Sequence, residues 1–350
     1  MANTQTKKPS NNDGSRERQE LITSVEQLNL SDKDKMTLAK NIQNALFGKN
    51  LNVLIVGATG CGKSTTIRAL FDEDKMSEDD RRTLRISDSA KPQTMKIRPY
   101  KIGKNLTLWD SPGLGDGTKD DEHIAKIRTK CREKDENGEG LIDLGLVIVG
   151  GVIARDLEAT YKAIDVLVEE LCVGEESETR VVVAINKCDL SANPRVKFDY
   201  DKNEPSEELK AELDAKIRGF KARFQKNKSS KFRIMYYSAG YYDENAKKQE
   251  KPYNLAKLLN FITKSAPSKK RYLFLDKINQ NDSNFTSNDG DDYMTDTQNS
   301  WLDSIIEVIS DGIERVGEAV DKVKEVGRKV LAAIPVVTNV WSKLKSWLPF

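Results

Sequence analysis

Between Leu51 and Ala266, short apolar runs alternate with amphipathic stretches. Leu51–Val56, Leu144–Val149 and Val181–Ile185 are nearly continuous in aliphatic residues, the pattern of strands buried on both faces. Met95–Tyr100, Leu106–Asp110 and Arg233–Tyr237 predict three more strands. Helices are predicted over Ser64–Phe71, Asp120–Arg132, Glu158–Leu171, Ser206–Gln225 and Asn254–Lys264. Strand and helix in alternation predict an α/β fold: a doubly wound, mostly parallel six-stranded sheet over residues 49–267. Ligands of such sheets sit at the carboxyl ends of the strands.

The flanks read differently. Residues 1–19 are polar and predict a disordered tail. Residues 20–48 predict a helical segment: Ser31 and Asp34 resemble a capping box, Met36, Leu38, Ala39, Ile42, Ala45 and Leu46 form an apolar stripe, and Gly48 is a stop signal. Residues 268–300, dense in Asn, Asp, Ser and Thr from Ile278 onward, read as a flexible linker. In residues 301–350, Leu302, Ile306, Ile309, Ile313, Val316, Val320, Val323, Val330 and Ile334 recur at heptad spacing, broken once by Gly327. Ile305, Ala319, Val326 and Ala333 widen the stripe, so a coiled coil, a bundle helix and a membrane-facing helix all fit. Beyond Pro335, Trp341, Lys343, Lys345, Trp347 and Phe350 suit a membrane interface or a hydrophobic groove.

Composition narrows the classes. In 350 residues, 57 Lys and Arg stand against 55 Asp and Glu, which does not suggest a basic nucleic-acid binder. Cys61, Cys131, Cys172 and Cys188 lack zinc-ligand spacing, and one histidine adds little. Few cysteines, no apolar leader and no apolar run long enough to span a bilayer predict a cytoplasmic protein, with peripheral membrane contact by the tail kept open.

The candidate chemistry lies at the predicted strand ends. Gly57-Ala58-Thr59-Gly60-Cys61-Gly62-Lys63-Ser64, followed by Thr65, joins a strand to a helix. Glycines let backbone N–H groups curl around phosphate oxygens, and the helix start adds a positive dipole end. Lys63 is placed to reach the β- and γ-phosphates, and the Ser64 hydroxyl to ligate Mg²⁺. Asp110-Ser111-Pro112-Gly113 ends the third strand, where an Asp can hold Mg²⁺ and a glycine can offer N–H to a γ-phosphate. Asn186-Lys187-Cys188-Asp189 ends the fifth; a carboxylate there can accept from the two adjacent donors of guanine, a pair adenine lacks. Asn186 would brace the loops and Lys187 lie over the base. Ser238-Ala239, after the sixth strand, is in order to place an N–H against the guanine carbonyl.

With these motifs in sequence, Leu51 to Ala266 resembles a Ras-like G domain. The resemblance implies GTP or GDP with Mg²⁺ as ligands, and catalysis through Lys63, Gly113 and a switch-I threonine. Thr94 is the candidate for that threonine, with Thr83 its rival, and Ser64, Thr94 and Asp110 form the implied metal set. Within the class the chain is similar to the Era/TrmE/septin-like branch, to septin and AIG1-type G domains, and above all to bacterial YfjP/YeeP-type GTPases. The septin-like resemblance implies a homodimer controlled by nucleotide.

Two departures qualify the resemblance. Leu114 stands where Ras-like enzymes carry a water-positioning Gln, so hydrolysis is expected to be slow or completed by another chain. Gly60 replaces the Asn of potassium-activated relatives. His123 reads as a solvated residue at a helix start, with a place facing nucleotide across a dimer as the alternative. Cys61, at a helix start where thiol pKa tends to fall, reads as a small loop filler. Lys210, Lys216, Arg218, Lys221 and Arg223 invite an RNA reading, but Glu207, Glu208, Glu212 and Asp214 among them favour a solvated helix. The function read is a slow GTPase acting as a switch or assembling unit. The alternatives are a scaffold that holds GTP without turnover and a ribosome-associated GTPase.

Overall fold

The computed structural model describes residues 48–86, 96–115, 117, 119–151, 157–173, 179–190, 196–224, 228, 230–243, 248–286 and 288–314, with isolated positions between 32 and 40. Thr94, most of the 20–48 segment and everything beyond Glu314 lie outside the described residues. Asn50–Trp301 form one compact unit, and the two chain ends are grouped in another.

The elements, in order, are β1 (Leu51–Gly57), α1 (Lys63–Leu70), α2 (Glu78–Ile86), β2 (Arg98–Ile102), β3 (Leu106–Asp110), α3 (Asp120–Arg132), β4 (Leu144–Gly150), α4 (Glu158–Leu171), β5 (Val181–Asn186), β6 (Phe198–Asp199), β7 (Glu204–Pro205), α5 (Glu207–Arg223), β8 (Phe232–Tyr236), β9 (Tyr241–Asp243), β10 (Lys248–Glu250), α6 (Leu255–Ser265) and α7 (Tyr293–Glu314). Six strands form the central sheet in the order β2-β3-β1-β4-β5-β8. Only β2 runs antiparallel to its neighbour, as the edge strand. The mostly parallel doubly wound α/β sheet is thus the fold.

All seven residues of β1 are buried, because helices cover both faces. Alternation sorts them: Leu51, Val53 and Ile55 join a cluster with Ile67 of α1 and Leu258, Leu259 and Ile262 of α6. Leu54 and Val56 join the opposite cluster with Ile127 of α3 and Ile164 and Leu167 of α4. The outer helices α3 and α4 are tied by Arg128 to Glu169 (3.1 Å) and Glu170 (2.6 Å), and by Arg132 to Glu170 (2.7 Å).

Several expectations are corrected. The second strand starts at Arg98 rather than Met95. The stretch read as a linker carries 3-10 turns at Ser268–Phe274 and Asp282–Phe285 and the start of α7. Phe274, Phe285 and Trp301 are buried in the α1/α6 cluster, and Phe274 stacks on Phe71 at 6.2 Å. Asn279 N donates to Leu70 O at 2.9 Å, and Lys270 Nζ reaches Asp143 Oδ1 at 2.7 Å. These three widely spaced apolar residues outweigh the polar composition, because each meets a formed surface. On α7, Trp301, Ser304, Ile305 and Val308 are buried, whereas Leu302 and Ile306 of the expected seam are half-buried. The short helix α2 was unforeseen, although Ser77 Oγ caps it by accepting from Asp80 N at 3.1 Å.

Candidate nucleotide site

The glycine loop leaves β1 at Gly57 and enters α1 at Lys63. Lys63 lies back over the loop, its Nζ donating to Gly57 O (3.1 Å) and Ala58 O (3.2 Å). Ser64 is buried in the first turn of α1, Thr65 is half-buried, and Thr59 and Gly60 are exposed at the tip. Gly62 has φ 95°, and a Cβ there would lie 2.2 Å from Asn186 Nδ2, so conformation and space both exclude a side chain. Thr66 anchors the helix start through Gly62 O (2.8 Å) and the buried Tyr237 hydroxyl (2.5 Å). Cys61 fills the loop and touches the core; burial pushes its thiol up, against the expected fall, and Lys63 pulls less strongly down.

Asp110, last residue of β3, is buried, and its Oδ1 has no hydrogen-bond partner. Burial raises its carboxyl from 3.8 to about 6, opposed by the Lys63 charge. The chain then docks against the glycine loop: Leu114 N donates to Gly57 O (3.2 Å) and Thr59 N to Leu114 O (3.4 Å). A Cβ on Gly113 would sit 2.1 Å from Thr59 Oγ1 and 2.9 Å from Thr59 N, so only glycine allows this approach. Leu114 is buried in the α3/α4 cluster. The Asp120 carboxylate accepts from Gly115 N (2.8 Å) and Gly117 N (3.2 Å) and fixes the turn.

His123 overturns its solvated reading. It is 2% exposed, with Nδ1 3.0 Å from Gly113 O. A carbonyl only accepts, so this contact places the proton on Nδ1, and the buried Nε2 has no partner.

Asn186 is the joint of the site. Its Oδ1 accepts from Lys187 N (2.8 Å) and Ala239 N (3.1 Å), and its Nδ2 donates to Cys61 O (3.0 Å). Lys187, at φ 62°, crosses to Gly60 O (2.9 Å). The Ala239 N–H, expected to face a base, is therefore engaged by Asn186, while Ser238 Oγ accepts from Gly240 N (3.3 Å). Asp189 is buried; its Oδ1 has no partner and its Oδ2 accepts from the Tyr200 hydroxyl (3.3 Å). Tyr200 packs beside Phe198 (5.1 Å) and Tyr241 (6.4 Å). Tyr200, Asp120 and Gly151, whose N donates to Asn186 O (2.7 Å), were missed from sequence. None falls in a motif; only Gly151, the residue after β4, gave a signal.

Glycine loop, Asp110-to-Gly113 turn and Asn186-to-Asp189 loop thus meet through named contacts, Thr94 lies outside the described residues, and Thr83 sits half-buried on α2. Two orphaned carboxylate oxygens fit the implied ligands: Asp110 Oδ1 suits hydrated Mg²⁺, and Asp189 Oδ1 suits a guanine edge.

Strand order and site together define an α/β P-loop GTPase fold. Residues 52–187 match the family model described as a 50S ribosome-binding GTPase, and the segment is the G domain of a GTP-binding protein, related to the GTPases. No curated protein matches the chain. Among solved structures it is similar to the elongation factor SelB of Methanococcus maripaludis with a GTP analogue (18% identity, 55% of this chain, 30% of that one, TM-score 0.30). It is similar to Toc33 of Arabidopsis thaliana with Mg²⁺ and GMPPNP (15%, 62% and 82%, TM-score 0.32). The bacterial dynamin LeoA from ETEC is also similar (14%, 91% and 49%, TM-score 0.36). The chain spans under a third of the elongation factor and about half of the dynamin.

Proposed function

We propose that this chain binds GTP with Mg²⁺, hydrolyses it slowly to GDP, and acts as a nucleotide-controlled switch that pairs with a second copy of itself. The observation that carries the reading is the pair of buried, orphaned oxygens on Asp110 and Asp189, held at two ends of one cradle that Asn186 braces. A buried carboxylate oxygen without a partner is unfavourable, and a hydrated cation and a two-donor base edge would offset that at each end. Mg²⁺, when bound, would neutralise phosphate charge. Lys63 would leave Gly57 O and Ala58 O for the phosphates, Ser64, Asp110 and Thr94 would hold the metal, and Gly113 would face the γ-phosphate. Asn186, Lys187 and Asp189 would hold guanine; Ala239 would do so only after releasing Asn186.

Slow turnover follows from Leu114, which is buried and cannot orient water. Pairing, and the YfjP/YeeP-type placement, rest on the sequence resemblance. The buried Leu114 also supports a second reading, a scaffold that keeps GTP as a structural ligand. Single-turnover GTP hydrolysis across protein concentrations, with mass by light scattering, separates the two. The switch reading predicts a rate per molecule that rises with concentration and dimers that form only with GTP. A flat, negligible rate with GTP retained supports the scaffold, and absence of GTP binding ends both.

A further inference from the structure

At the amino-terminal edge of the sheet, away from the nucleotide loops, a cavity of about 410 Å³ lies between the starts of β5 and β8 and the end of α6. Arg180, Arg233, Lys264, Lys269 and Arg271 line it together with Ser265, and no carboxylate does among the described residues. Not all five cations are equally available. Arg271 donates to Ala266 O (3.2 Å) and Lys264 O (3.1 Å), which closes the end of α6. Lys264 pairs with Asp296 at 2.5 Å. Arg180 gives one contact to Asp143 O at 3.3 Å.

Arg233 is different. Its guanidinium lies 5.8 Å from the Phe261 ring, its Nε is buried without a hydrogen-bond partner, and burial depresses its pKa, opposed by Asp296 at longer range. The Ser265 hydroxyl is likewise buried without a partner. The Arg233 Nε and the Ser265 hydroxyl, both without a partner beside one positively lined cavity, are donors that an oxyanion would satisfy. The adjoining cavity, of about 340 Å³, shares Arg180 and Pro267 but sets Glu139, Asp143 and Glu170 against Lys270, so it lacks the uniformly positive lining. Selection for an anion is thus confined to the basic end.

We propose that the cavity bounded by Arg180, Arg233, Ser265 and Lys269 is a second anion site that takes a phosphate-bearing group, a soluble phosphorylated molecule or a lipid headgroup, independently of the nucleotide loop. β5 separates the two sites: Arg180 precedes its first residue and Asn186 ends it, about 20 Å away at strand rise. Glu175, Glu176 and Glu178 lie just before Thr179 in sequence and are the nearest acids along the chain.

Inorganic pyrophosphate is titrated calorimetrically into the full chain carrying Lys63→Ala, which silences the glycine loop. The same titration is run with Glu175→Gln, Glu176→Gln and Glu178→Gln added, which removes the three carboxylates nearest to Arg180 in sequence. Binding in either protein, weakened about tenfold by Arg233→Gln or by Arg180→Gln with thermal melting unchanged, supports the site. Flotation with phosphatidylcholine vesicles doped with phosphatidic acid assigns the source: pyrophosphate binding alone marks a soluble ligand, and arginine-dependent flotation marks a headgroup. Absence of both in both proteins, or binding indifferent to both arginines, overturns the proposal.

Discussion

At Asp110, burial lifts the carboxyl from 3.8 to about 6 although Lys63 pulls it down, so the ligand-free fold holds a proton that the unfolded chain has released. Between those values the folded state binds more protons, and stability without nucleotide falls as pH rises from about 4 to about 6. Asp110→Asn should remove that fall, raise the melting temperature above the window, and weaken Mg²⁺-nucleotide binding; pH-dependent melting with and without ligand checks both. Asp189→Asn should lower GTP affinity about a hundredfold, as a charged acceptor of two hydrogen bonds is lost, while the Tyr200 contact needs only the remaining oxygen. His123 holds Gly113 O, so if Gly113 faces the γ-phosphate as proposed, His123→Ala should weaken a GTP analogue several-fold and leave GDP unchanged. Equal losses for both nucleotides would assign His123 to the core alone. The chemistry at this scale was legible wherever a motif fixes residue type and order. Tyr200 and the buried state of His123 were not, because each depends on partners 10 or more positions away.

The turn from Gly113 to Gly117 is built onto the glycine loop by backbone pairing, with Asp120 holding its far end. Gly113→Ala should drive Thr59 away and reduce GTP-analogue affinity at least tenfold, with far-ultraviolet circular dichroism unchanged. Strands with continuous apolar runs were readable from sequence, since burial on both faces leaves no other pattern. β2 was misplaced because an edge strand, with Tyr100 and Ile102 inward and Lys101 outward, carries a shorter alternation. α2 escaped because Leu84 is the one fully buried apolar residue among those whose burial is described on it. On α7 the heptad line through Leu302 and Ile306 is only half-buried, and the buried line runs through Trp301, Ile305 and Val308.

Across the unit Asn50–Trp301, two apolar clusters sandwich the sheet, and the segment after α6 completes the one on the α1/α6 face. Polar composition concealed this completion, because a few large side chains on a formed surface outweigh a loop-like sequence. Trp301→Ala should destabilise by about 3–5 kcal/mol. Consequently a chain ended at Ser300 should melt lower and bind nucleotide poorly, whereas one ended at Glu314 should keep its affinity. The central claim is that this cradle reads guanine through Asp189 and phosphate through Lys63. Equilibrium binding of GTP and ATP with Mg²⁺, on the full chain and on Lys63→Ala, tests it most directly. The account predicts GTP binding at least a hundredfold tighter than ATP and lost in Lys63→Ala. Equal affinity for the two nucleotides, or GTP affinity untouched by Lys63→Ala, would contradict it.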